Sequence, residues 1–75
     1  MSAEHLGPFL PGQTIRITDG RFVGLKGRII GMNDVIRRKL PITDAVQRGE
    51  AHWAITMIFG REVPVVLDLH QMIPD

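Results

Sequence analysis

Residues 58–71 read Ile58-Phe59-Gly60-Arg61-Glu62-Val63-Pro64-Val65-Val66-Leu67-Asp68-Leu69-His70-Gln71. An apolar strand runs into a tight Phe-Gly-Arg turn and returns as a second strand. Solvated turns usually carry Asn, Asp or Ser. This one carries a large apolar side chain and a cation, a placement that marks a docking tip. Working outward, Glu50 to Phe59 reads as the third strand of the chain and Arg61 to Leu69 as the fourth. Pro64 donates no ladder hydrogen bond, so the fourth strand is an edge strand or bulges there. His70 to Met72 reads as a last turn of helix.

Towards the N-terminus, Gln13 to Thr18 alternates, with Ile15 and Ile17 on one face and Thr14, Arg16 and Thr18 on the other. That is the pattern of a half-buried strand. Pro11-Gly12 is a turn signal, and residues 1–11 read as a loose arm, extended where Phe9 and Leu10 meet the body. Asp19-Gly20 opens a turn, with Gly24 and Gly27 following. Lys26 to Met32 is the second strand. Residues 33–49 break the strand pattern. Asn33 or Asp34 caps a short helix through Lys39, ended by Pro41. Thr43 caps another through Arg48, with Gly49 at its stop. Short strands and tight glycine turns in so short a chain predict a mainly β fold, a small antiparallel barrel whose closure manages its edges.

Size and composition narrow the function. The chain has 75 residues, a net charge of +1 and no cysteine. One small domain with a modest core follows, burying about 60% of its chain surface. Disulfides and thiolate metal sites are excluded, and a reducing, cytoplasmic setting is the expectation. No basic segment followed by an apolar run marks a signal peptide, and no apolar stretch approaches the roughly 20 residues of a membrane span. The net charge is too small to argue for nucleic acid by field alone.

A second motif precedes the tip: Gly12-x-x-Ile15-x-Ile17-x-x-Gly20-x-Phe22-x-Gly24-x-x-Gly27-x-Ile29. It is similar to the KOW signature of strand, glycine-rich turn and strand. The tip and its strands resemble the end of the KOW domain of NusG-type transcription elongation and antitermination factors, where I-F-G-R-x-x-P-V-x-L-x-x-x-Q recurs. The two motifs stand in the family's order. The resemblance implies a small SH3-like five-stranded barrel spanning residues 12–75, with residues 33–49 as a helical insertion between the second and third strands. It implies no catalysis and no cofactor. It implies docking to proteins in transcription elongation, termination or antitermination: a NusE-type ribosomal protein, coupling transcription to translation, or the termination factor Rho. The partner surface it implies comprises Phe22, Leu25, Ile58, Phe59 and Arg61. An exposed Phe beside an Arg, an apolar anchor with an orienting charge, is hot-spot chemistry. The competing reading has Phe22 and Phe59 closing the barrel end as core. Arg21 stands where the family often has proline.

The third strand holds a conflict. Alternation alone puts Trp53, Ile55 and Met57 on the core face. The resemblance puts Ala54, Thr56 and Ile58 there, which leaves Trp53, Ile55, Met57 and Val66 as an apolar outer face. Such a face marks a partner or a cover. The insertion, longer than is common in the family, carries Val35, Ile36, Leu40, Ile42 and Val46. It is expected to fold over that face as one or two short helices. The rival is a homodimer through the Trp53 face.

Arg16, Arg21, Lys26, Arg28, Arg37, Arg38 and Lys39 are the candidate nucleic-acid contacts of an alternative, ribosomal-type RNA-binding KOW module. A solvated surface balanced by acidic residues is the preferred reading, because no exposed aromatics interleave these cations. Catalysis finds no support: His5, His52 and His70 have no zincin spacing. A zinc site gathered from His52, His70 and Asp68 is outweighed by isolated surface groups. No metal site is expected.

Overall fold

The computed structural model describes residues 9–75. The expected arm and His5 therefore fall largely outside the described residues. Five strands form one antiparallel sheet: β1 (Thr14–Ile17), β2 (Lys26–Ile29), β3 (Ala51–Ile58), β4 (Arg61–Asp68) and β5 (Met72–Pro74), in the order β4-β3-β2-β1-β5. Two short helices, α1 (Met32–Arg37) and α2 (Asp44–Gln47), join β2 to β3, and a 3₁₀ turn at Leu69–Gln71 precedes β5. The mainly β expectation holds. Closure does not: β4 and β5 sit at opposite edges and do not pair, so the sheet stays open. No helix among the described residues is long and apolar enough to cross a membrane.

Strands bury one face because side chains alternate, and β3 alone buries residues on both. Ile15, Ile17, Ile29, Ala54, Val65, Leu67 and Met72 form the main core, with Phe9 packed in from the arm. Full burial of each large aliphatic side chain contributes about 1.5–3 kcal/mol. Gly27 is needed inside this core. A Cβ there would lie 3.2 Å from the Ile55 carbonyl oxygen and 3.5 Å from the Ile15 side chain. Thr56 is the buried polar residue among those described, and its hydroxyl donates to the Lys26 carbonyl at 2.6 Å.

β3 follows the register that the resemblance implied. Ala54 and Thr56 face the main core, leaving Trp53, Ile55 and Met57 on the opposite face. The insertion covers part of that face. Ile30, Val35 and Ile55 form a second buried cluster, with Leu40 and Trp53 packed against it. The Trp53 indole Nε1 donates to the Pro41 carbonyl at 2.8 Å, latching the loop between the helices. Thr43 caps α2 as expected, its hydroxyl accepting from the Val46 amide at 3.2 Å. α1 starts earlier than expected, with Gly31 as its N-cap rather than Asn33 or Asp34. β2 likewise ends at Ile29, not Met32. Both shifts have one cause. The Ile30 amide makes its last cross-strand bond, to Trp53, and the Gly31 carbonyl already accepts from Val35.

The fifth strand carries no alternation in sequence. It is fixed by a clasp: the Gln71 side chain accepts from the Asp68 amide at 2.9 Å, and the Gln71 carbonyl from the Thr18 amide at 2.8 Å. Met72 then pairs with Ile17.

Near the other end of β3, the Phe9 and His52 rings meet edge-on at 6.1 Å between centroids. His52 Nε2 is buried with no hydrogen-bond partner among the described residues. Burial pushes the His52 imidazole down, towards its neutral form. The unfolded chain binds that proton more readily, so the pH dependence has a definite sign. Stability is full above the ordinary histidine value, about 6.5, and falls as the pH drops below it. Denaturant midpoints measured between neutral and mildly acidic pH should show this slope in the wild type. The slope should shrink in His52→Leu; an unchanged slope would assign it to other groups.

Candidate functional site

The β3–β4 hairpin closes on Ile58 paired with Arg61, leaving Phe59 and Gly60 as a two-residue turn. Both have positive φ, 53° and 76°. Tight hairpins need this geometry because its twist matches that of the strands, and Asn-Gly is the sequence that adopts it most readily. Gly60 suits the position. Phe59 does not: a non-glycine residue held in the left-handed region costs about 1–2 kcal/mol. Phe59 is also 100% exposed. Its side chain therefore stabilises nothing in the monomer, and the reading of Phe59 as a barrel-end core residue is set aside.

The other named residues fall at the same end of the sheet. Gly27 pairs with Thr56. Continuing that register by two residues brings Leu25 level with Ile58, so the β1–β2 loop flanks the tip. Phe22 and Leu25 are partly buried against the main core. They have a structural role that Phe59 lacks, and the core reading holds in part for Phe22. The Arg21 guanidinium lies over the Phe22 ring, 5.6 Å from its centroid, a stacking that proline could not make. Ile58 is half-buried and Arg61 is exposed. Arg61 makes no ion pair among the described residues.

The candidate nucleic-acid cations do not converge. Arg16 and Lys26 share the Asp75 carboxylate at 3.3 and 3.2 Å. Its hydrogen bond with Lys26, then the nearby Arg16 charge, hold the Asp75 carboxyl below the usual carboxylate range. Arg37 pairs with Asp34 one turn back along α1, and Arg38 reaches Glu62 at 3.8 Å. Arg28 and Lys39 have no such pair among the described residues. They lie on β2 and after α1, in different elements. His52, His70 and Asp68 are not gathered: among the described residues no group of three or more His, Asp or Glu is placed to hold a metal.

Sequence reading missed an open groove on the outer face of the sheet, beside β2. The signal was present in Lys26-Gly27-Arg28, where two cations flank a glycine and so share a face. Comparison with known proteins adds no name to this geometry: neither a scan against protein-family models nor a search of curated proteins finds a match.

Proposed function

We propose that this chain is a non-catalytic protein-docking module that presents Phe59 to its partner. The observation that carries this reading is the fully exposed Phe59 in a left-handed turn position. A residue that is costly in the turn and uninvolved in the core is retained for something outside the fold. Phe59 enters an apolar groove of the partner, Ile58 packs beside it, and Arg61 pairs with a carboxylate there. Phe22 and Leu25 support the tip from the neighbouring loop.

The edges of the sheet favour this mode over strand addition. Partners that extend a sheet need an unpaired edge. Here the edge strands β4 and β5 each contain a proline, Pro64 and Pro74, and proline donates no hydrogen bond to an added strand.

The finer assignment is a KOW-type, SH3-like domain whose sheet stays open. It rests on the two motifs quoted above. The hairpin with its Phe59-Gly60 turn, the β1–β2 glycine loop at the same end and the Gln71 clasp are consistent with it. On that assignment the module acts in the cytoplasm in transcription elongation, termination or antitermination, and its partner is a NusE-type ribosomal protein or Rho. An RNA-binding role is less supported because most of the cations are already paired within the chain. A homodimer through the Trp53 face is less supported because the insertion lies over Trp53 and Ile55.

The test is an NMR titration of labelled protein against a NusE-type ribosomal protein, Rho and a short RNA in turn. Amide shifts clustered at Phe22 and Ile58 to Arg61 are expected with a protein partner. Shifts at Arg28 and Lys39 on adding RNA, lost at higher salt, would overturn the reading.

A further inference from the structure

The outer face of the sheet holds a groove of about 320 Å³ that spans β1 to β4. The strand registers lay out its floor. Thr14, Arg28, Ile55 and Pro64 form one row across β1 to β4. In the next row towards the tip, Arg16 stands opposite Lys26, and Met57 opposite Glu62. The β2–β3 register brings Lys26 level with Met57. Cations therefore line β1 and β2, apolar side chains line β3, and a carboxylate stands at each side, Glu62 on β4 and Asp75 just after β5.

These groups are unequally committed. Arg28 is exposed and has no ion pair among the described residues. Met57 is 54% exposed, directly over the sheet, beyond the reach of the cluster that covers Trp53 and Ile55. The Arg16–Lys26 pair already holds a carboxylate, that of Asp75. The protein's own acid thus shows which chemistry this wall accepts, and Arg28 offers the same chemistry unfilled.

We propose that this groove is a second docking surface, which takes an acidic amphipathic peptide segment. An apolar side chain of the segment covers the exposed Met57, while a neighbouring carboxylate pairs with Arg28. Charge complementarity selects this occupant. Nucleic acid fits less well: the groove has no aromatic on which a base could stack. A second copy of the chain fits less well too. The carboxylates that a second copy would offer from this face, Asp75 and Glu62, already have cation partners within their own chain. The groove lies on the sheet face and the Phe59 tip at its end, so one chain can hold two partners or two segments of one partner.

The probe is an N-acetylated peptide in which a leucine is flanked by glutamates. Its glutamine counterpart and a short oligouridine serve as comparisons. With isotope-labelled whole chain, the glutamate peptide should shift the amides of Lys26, Gly27, Arg28, Ile55 and Met57. Arg28→Glu should weaken that binding at least about tenfold, as loss of a close interfacial charge pair does. Met57→Ser should also weaken it, and Phe59→Ala should leave it unchanged. Both groove variants alter exposed side chains, and a dispersed spectrum verifies their folding. The comparison peptide needs no variant at all. Equal binding of the glutamine peptide would overturn the proposal. So would shifts confined to the Phe59 end, no shifts, or tighter binding of oligouridine at these residues.

Discussion

Trp53→Ala should release the insertion from the sheet while the inner core persists. Trp53 is half-buried, packs against Ile30, Val35 and Ile55, and donates its indole N–H to Pro41. Truncation removes the packing and leaves the Pro41 carbonyl without its donor. The expected loss is about 3 kcal/mol, the low end of what removing a large buried aromatic costs. A domain of this size has about 4–11 kcal/mol in all, so the loss is a large fraction. Hydrogen exchange distinguishes a local effect from a global one. The Val35 and Leu40 amides, bonded to Gly31 and Val35 carbonyls, should lose protection first. The Ile29 amide, bonded to the Gln13 carbonyl, should remain protected by the β1–β2 pairing. Trp53→Phe keeps most of the packing and should cost about 1 kcal/mol for the hydrogen bond. Uniform loss of protection in Trp53→Ala would mean that the two clusters are one cooperative unit. In the wild type, blue-shifted Trp53 emission at a monomeric mass is the matching signature of a covered indole.

The second large effect separates stability from binding. Phe59→Ala should weaken binding by about 1–3 kcal/mol, the usual cost of an anchor, with the fold intact. Phe59→Asn is the more telling change. Asparagine tolerates the left-handed conformation and completes the preferred Asn-Gly turn. That variant should gain thermal stability, up to about 1 kcal/mol, and lose binding together with Phe59→Ala. Reduced stability in both variants would mean that the aromatic ring contributes to the fold after all.

The tip was legible in the sequence because it breaks a rule: turns are polar, and this one is not. The face of β3 was not legible from alternation. Its two sides are apolar, and periodicity cannot choose between them. What chooses is size. Small Ala54 packs on the inner face, 3.7 Å from where a Gly27 Cβ would stand, and Thr56 is buried there too. Trp53 and Ile55 need room and a cover, and find both outside. The helices were legible through Thr43 and Pro41 rather than through a period. Six and four residues are too few to show one. β5 has three residues, and its position depends on the Gln71 clasp, a contact with Thr18 that no local pattern announces. The groove needed the registers of three adjacent ladders at once.

The β3–β4 hairpin also bears on how the chain reaches this structure. Its two strands of eight residues are joined by two, so it is the most local pairing in the sheet. β1 and β5 come from opposite ends of the described chain and must pay a long loop closure before they pair. The hairpin is thus the natural place for folding to begin, and its turn contains Phe59. A side chain held for a partner would then slow the first step towards the native state. Faster refolding of Phe59→Asn than of the wild type would be its signature.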